Sequence, residues 1–156
     1  MRGLTITQVQ VDEIWAFIGT KQKNVPADAD SALGLGDCYT YIAIDPVTKL
    51  MPCYMLGYRS TECAMQFMED LASRLANRVQ LTTDGMSGYP TAVRKAFGEA
   101  VDYAVLNKTY KAPATTVQAA RRYSPNTVMG IEKIPLIGAP VLSDVSTSHV
   151  ERAKRS

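Results

Sequence analysis

The chain has one histidine, one tryptophan and three cysteines among its 156 residues, and each shortage excludes something. With His149 as the only imidazole, a Ser/His/Asp hydrolase has a single possible base, and nothing in the sequence places it beside a nucleophile. His149 itself reads as a surface residue at a helix start. The string Gly85-Met86-Ser87-Gly88-Tyr89 misses the G-x-S-x-G elbow because its last position is Tyr. Gly34-Leu35-Gly36-Asp37 lacks the Lys-Ser/Thr of a phosphate-binding loop. Cys38, Cys53 and Cys63 are odd in number and contain no C-x-x-C pair, so no zinc ribbon is encoded. They read as reduced, partly buried thiols of a cytoplasmic protein. No apolar run approaches the roughly 18 residues of a membrane span, and Met1-Arg2-Gly3-Leu4-Thr5 lacks the apolar core of a signal peptide. There is no internal repeat and no low-complexity tract.

What is present is an ordinary core-forming composition with an uneven charge. At 46% hydrophobic residues, the chain reads as one domain spanning 1–156. Its formal net charge is +2, yet residues 1–106 hold nine Lys/Arg against twelve Asp/Glu, whereas residues 107–156 hold eight against three. A basic C-terminal third beside an acidic body either receives a polyanion or is a solvated tail, and charge alone leaves both open.

Periodicity gives the order β-β-β-α-β-α-β. Residues 8–18 form a strand apolar on both faces, hence central in a sheet. Cys38 to Ile44 and Leu50 to Leu56 make a hairpin across the Asp45-Pro46-Val47-Thr48 turn. A helix starts at Ser60 or Thr61, with Ala64, Phe67, Met68, Leu71, Ala72 and Leu75 at helical spacing. Residues 79–83 are a fourth strand, Tyr89 to Phe97 a second helix and Val101 to Leu106 a fifth strand. A hairpin followed by alternating helices and strands is an α/β pattern, a mixed β-sheet flanked by α-helices. Residues 107–146, with Pro113, Pro125, Pro135 and Pro140, read as a long insertion or loop region. A further helix begins near Ser148. Trp15 and Phe17 read as core rather than as a base-stacking platform.

Three acids stand out. Asp12 lies within the apolar run Val9 to Ile18, where an unpaired carboxylate would be costly, so a cation or hydrogen-bond partner is expected. Glu13 falls on the opposite strand face and reads as structural. Asp84 closes the fourth strand; it is either a ligand or the start of an Asp-Gly turn. Glu151 follows Ser148, so it is either a ligand or the acid of a capping box. Two strand-borne aspartates and a helix-borne glutamate are oxygen donors of the kind that hold hard divalent cations.

Specific strings carry a resemblance. Val11-Asp12-Glu13-Ile14-Trp15-Ala16-Phe17-Ile18-Gly19-Thr20-Lys21-Gln22, Thr83-Asp84-Gly85 with Tyr89 after it, Arg121-Arg122-Tyr123-Ser124-Pro125 and Ser146-Thr147-Ser148-His149-Val150-Glu151-Arg152 together resemble DDE-type bacterial insertion-sequence transposases of the insertion-sequence-one kind. The resemblance covers nearly the whole chain. It implies an RNase H-like fold and a site in which Asp12, Asp84 and Glu151 hold two Mg²⁺ (or Mn²⁺) ions for DNA strand cleavage and strand transfer. It implies DNA as partner, both transposon ends and target; Lys108, Lys111, Arg121, Arg122, Arg152, Lys154 and Arg155, in the basic C-terminal third, are the candidate phosphate contacts. It further implies a nucleoid-associated bacterial protein, a homo-oligomer, and a DNA-binding part supplied by a separate N-terminal polypeptide.

The chain departs from that pattern at both ends. It starts directly at the catalytic strand, and after Glu151-Arg152 it has only Ala153-Lys154-Arg155-Ser156. The last helix is thus expected to have one or two turns, as in a catalytic domain cut short. Two other readings stay beside the active transposase: an inactive truncated remnant, and a stand-alone RNase H-like nuclease.

Overall fold

A computed structural model describes residues 1–30, 34–111 and 127–154. Its first strand, β1 (Gln8–Ile18), covers the span set out by two-sided apolarity. It pairs antiparallel with β2 (Gly36–Ile44), which pairs antiparallel with β3 (Tyr54–Gly57). The third strand is shorter than its apolar run because Pro52 has no N–H for a ladder. Residues ahead of Tyr54 still run beside β2, with Ala43 N–H donating to Cys53 O at 3.2 Å.

Helix α1 (Thr61–Arg74) starts where sequence signals place it, with the Ser60 hydroxyl accepting from Cys63 N–H. The chain then alternates through β4 (Gln80–Thr83), α2 (Gly88–Phe97) and β5 (Asp102–Lys111). The described part closes with β6 (Thr127–Ile137) and α3 (Ser148–Ala153). The strand order is β3-β2-β1-β4-β5-β6, with β4 parallel to both β1 and β5 and β6 antiparallel to β5. This is an α/β fold, a six-stranded mixed sheet flanked by three helices, compatible with the RNase H-like class. Among the described residues no helix is long and apolar enough to cross a membrane.

The two faces of the sheet are covered unequally. Val9, Val11, Tyr41, Ala43, Leu81 and Tyr103 pack against Phe67, Met68 and Leu71 of α1 and Tyr89 and Val93 of α2. On the other face Ala104 and Leu106 cluster with Val145, and α3 lies across β1 and β2. Strand alternation therefore sends Val11 and Glu13 towards α1 and α2, and Gln10 and Asp12 towards α3.

Two expectations are corrected here. The stretch 107–146 is not one irregular insertion: Asn107 to Lys111 continue β5, and β6 supplies an edge strand. Pro135 hid β6 in the sequence. It is tolerated because β6 lies at the sheet edge and Pro135 opposes Ala104 at a register shift. Trp15 and Phe17 are not core. They are 45% and 46% exposed, because β4 ends at Thr83 and leaves the second half of β1 paired with β2 alone.

Gly138 closes β6 with φ +65°, a conformation that L side chains rarely adopt. A Cβ there would lie 2.3 Å from Asp102 Oδ1 and 2.9 Å from the Val101 carbonyl. Asp102 is the centre of a clasp. It pairs with Arg78 at 2.8 Å and accepts from Ala139 N–H at 3.0 Å, and the Arg78 guanidinium holds its carboxyl below the usual range. Gly138→Ala is expected to open this clasp and destabilise the fold by about 2 kcal/mol or more. Thermal melting followed by circular dichroism should then fall by roughly 5 °C; an unchanged midpoint would show that the clasp carries no stability.

Candidate functional site

Unequal strand lengths create the site. β4 has 4 residues, whereas β1 has 11 and β5 has 10. Pairing of β1 with β4 stops at Gln10↔Thr82, and pairing of β4 with β5 stops at Thr83↔Val105. Beyond those points the sheet forks into a β1–β2 arm and a β5–β6 arm. The fork opens at the C-terminal ends of the parallel strands, where α/β sheets place their ligands.

The acids stand at the crotch of the fork. Asp12 is two residues past the last β1–β4 pair and 6% exposed. Its Oδ1 accepts from Glu13 N–H at 2.8 Å, and its Oδ2 forms an ion pair with Lys154 Nζ. Asp84 directly follows β4, and its Oδ1 accepts from Met86 N–H at 3.0 Å. The expected Asp-Gly turn is therefore present, and the same carboxylate also faces the acids. Gly85 fits because a Cβ there would meet Asn107 Oδ1 at 2.3 Å.

Glu13, whose sequence position reads as structural, belongs to the cluster. It sits on the opposite face, as alternation requires, accepting from Arg59 Nε and from the Tyr89 hydroxyl, each at 2.8 Å. Yet one carboxylate oxygen from each of Asp12, Glu13 and Asp84 lies within 4.8 Å of the others. The fork explains this. With no β4 backbone beside residues 12 and 13, nothing separates the two faces of β1 there. The adjacent Asp-Glu pair was visible in the sequence, but its meaning depended on where β4 ends.

Glu151 reaches the same cavity from α3. It accepts from Thr147 Oγ1 at 2.7 Å and pairs with Lys108 Nζ. The capping-box alternative is not what forms. The helix N-cap is Thr147, and the first-turn amides of His149 and Val150 donate to Gln10 Oε1 at 2.9 and 3.2 Å. Asp12, Asp84 and Glu151 line one cavity of about 790 Å³, together with Arg59, Lys108 and Lys154.

Of the basic residues expected on phosphates, Lys108 and Lys154 are instead the counter-charges of Glu151 and Asp12. Arg152 lies exposed on α3. Lys111 ends β5, with its side chain outside the described residues, as are Arg121, Arg122 and Arg155. His149 is the surface residue expected, its Nδ1 2.8 Å from Lys49 Nζ.

The electrostatics identify the least satisfied acid. Burial, then the Glu13 charge, pushes Asp84 up to about 6. Burial also raises Asp12, against the opposing pull of Lys154 and the Glu13 amide. For Glu151, burial is outweighed by Lys108 and Thr147, and the carboxyl is lowered. Burial, reinforced by the surrounding acids, holds the Tyr89 hydroxyl well above its usual value, so it donates to Glu13 rather than ionising.

The donor set at the crotch is oxygen only. That suits Mg²⁺ or Mn²⁺ rather than a cation preferring nitrogen or sulfur. The elevated Asp84 marks a surplus of buried negative charge that a cation would relieve. The residues therefore fit a divalent ion. Comparison of the chain with known protein families and with curated proteins found no match.

Proposed function

We propose that the chain is the catalytic domain of a metal-dependent polynucleotidyl transferase, a DDE transposase that cuts and joins DNA. The observation that carries this reading is the convergence of Asp12, Asp84 and Glu151 on one cavity, although 139 positions separate the first from the last. Asp12, Asp84 and Glu151 would hold two Mg²⁺ or Mn²⁺ ions, which when bound supply Lewis-acid activation of an attacking oxygen and charge neutralisation at the scissile phosphate. The residues of the chain do the rest. Glu13 is kept from wandering by Arg59 and Tyr89, so its charge stays behind Asp12 and Asp84. Were the acids to hold ions, Lys108 and Lys154 would be free to meet phosphate oxygens in the cavity that they line. The partners on this reading are transposon ends and target DNA and a second copy of the chain.

The test is cleavage and joining of a radiolabelled DNA duplex with Mn²⁺. Activity is expected with the natural chain and is expected to fall below detection in Asp12→Asn and in Glu151→Gln. Strand cutting that persists in either variant, or that survives EDTA, would remove the proposal.

A further inference from the structure

We propose that Trp15 and Lys21, on the β1–β2 arm of the fork, form a stacking ledge for an unpaired nucleobase next to the acid cavity. The proposal rests on the nucleic-acid reading above and adds which part of the substrate the arm grips. Trp15 lies three residues beyond Asp12 on the same strand, about 10 Å at the rise of an extended chain. The Trp15 and Phe17 rings sit 5.7 Å apart, tilted by 46°. Lone exposed apolar side chains need no explanation, but two adjacent exposed aromatic rings form a patch.

The surroundings favour a nucleobase as its occupant. Lys21 Nζ lies 5.4 Å from the centre of the indole, and Lys23 follows in the 3-10 turn Gln22–Asn24. An aromatic surface with a cation over the indole matches the paired chemistry of a base and its phosphate. Asp37, the acid opposite Phe17 in the β1–β2 ladder, accepts from Gln22 N–H at 3.0 Å and is engaged within the turn. Trp15 and Phe17 share the face of β1 that carries Glu13, one of the clustered acids. On the opposite arm another aromatic, Tyr110, is 53% exposed and lines the acid cavity. Bases in a duplex already stack on their neighbours, so a ring ledge of this kind takes only bases that have left the helix.

Trp15 is the sole tryptophan, so its own emission reports the contact. The full chain in EDTA is titrated with a single-stranded oligo-dT and with a matched duplex, while anisotropy of a labelled strand follows binding. Single strands are expected to quench the indole more than duplex does. Trp15→Ala should weaken single-strand binding by about 5- to 100-fold and alter duplex binding less than twofold, whereas Trp15→Phe should keep most of the affinity. Melting curves of both variants establish that they fold. Unchanged emission while anisotropy reports binding overturns the proposal. So does an equal loss for both DNA forms, or an emission change driven by protein concentration alone, which would make the patch a contact between copies. Absence of DNA binding by the natural chain sinks the ledge and the nucleic-acid reading together. Absence of Mn²⁺-dependent cutting by a chain that still binds DNA sinks only the transposase reading, because the ledge is read without metal.

Discussion

Asp84→Asn is expected to make the metal-free protein more stable at pH 7 while removing its response to Mn²⁺. The Asp84 carboxyl sits at about 6 in the folded chain against an ordinary value of 3.8. A folded-state value above the unfolded one means that the protonated form is favoured by folding. Its contribution is therefore complete below about pH 4 and is lost as pH rises through about 6. At pH 7 the ionised group costs roughly 3 kcal/mol at most, from a shift of about two units at 1.36 kcal/mol each. Asparagine keeps an acceptor for Met86 N–H and carries no charge, so the variant should melt several degrees higher than the natural chain at pH 7 and about level with it at pH 4. Mn²⁺ should raise the midpoint of the natural chain at pH 7 and leave the variant unmoved, because binding stabilises only the form that binds. Metal affinity should also climb between pH 5 and pH 7, since the ion must displace a proton from Asp84. Calorimetric melts of both proteins at the two pH values, with and without Mn²⁺, decide the matter. A variant less stable than the natural chain at pH 7 would show that Asp84 is well accommodated as an anion and that the cluster has no charge surplus.

Lys154→Met is expected to act in the opposite sense on both quantities. The Lys154 ammonium is the counter-charge of Asp12, whose side chain is only 8% exposed. Removing it leaves a buried carboxylate without its cation and should destabilise the metal-free fold by about 1–3 kcal/mol, less than a fully buried pair because the lysine is partly solvated. The same ammonium already pairs with Asp12 Oδ2, the carboxylate oxygen that does not accept from Glu13 N–H. An ion entering the natural chain must first break that pair; in the methionine variant it meets no competitor, and Mn²⁺ should bind at least about tenfold more tightly. Lys154→Arg should retain both the stability and the competition. Titration calorimetry and Mn²⁺ electron paramagnetic resonance read the affinity directly. Weaker binding by the methionine variant would mean that Lys154 organises Asp12 for the ion instead of competing with it.

These two residues also mark how far the sequence could be read. The strand bearing Asp12 was legible end to end because both of its faces are apolar where it is central. α1 was legible because Ser60 caps it and its apolar positions keep helical spacing. β6 was not, because Pro135 and Gly130 interrupt its pattern and an edge strand need not be apolar on two sides. Within the site, Asp12, Asp84 and Glu151 could be singled out as residues. Glu13 could not be joined to them, nor could Trp15 be set in solvent, because both depend on β4 ending after Thr83. A strand's length relative to its neighbours is a property of the pairing, not of either sequence alone. The roles of Lys108 and Lys154 as partners of acids were likewise hidden, since a basic excess in the C-terminal third says nothing about which carboxylates its lysines meet.

The Gln10 carboxamide that caps α3 sets an order of assembly. A helix of six residues does not persist alone in water, and this one takes its first-turn acceptor from a strand 139 positions earlier in the chain. Asp12 and Asp84 come together as soon as β1 pairs with β4, through contacts formed in the body of the sheet. Glu151 has no such early anchor; it arrives when the C-terminal segment finds Gln10 and buries Val150. Folding therefore completes the trio last, and fraying at equilibrium should undo it first, with the α3 amides exchanging ahead of those in β1. A chain still on its way to the native state holds two of its three acids in position, and the third is set only when α3 docks.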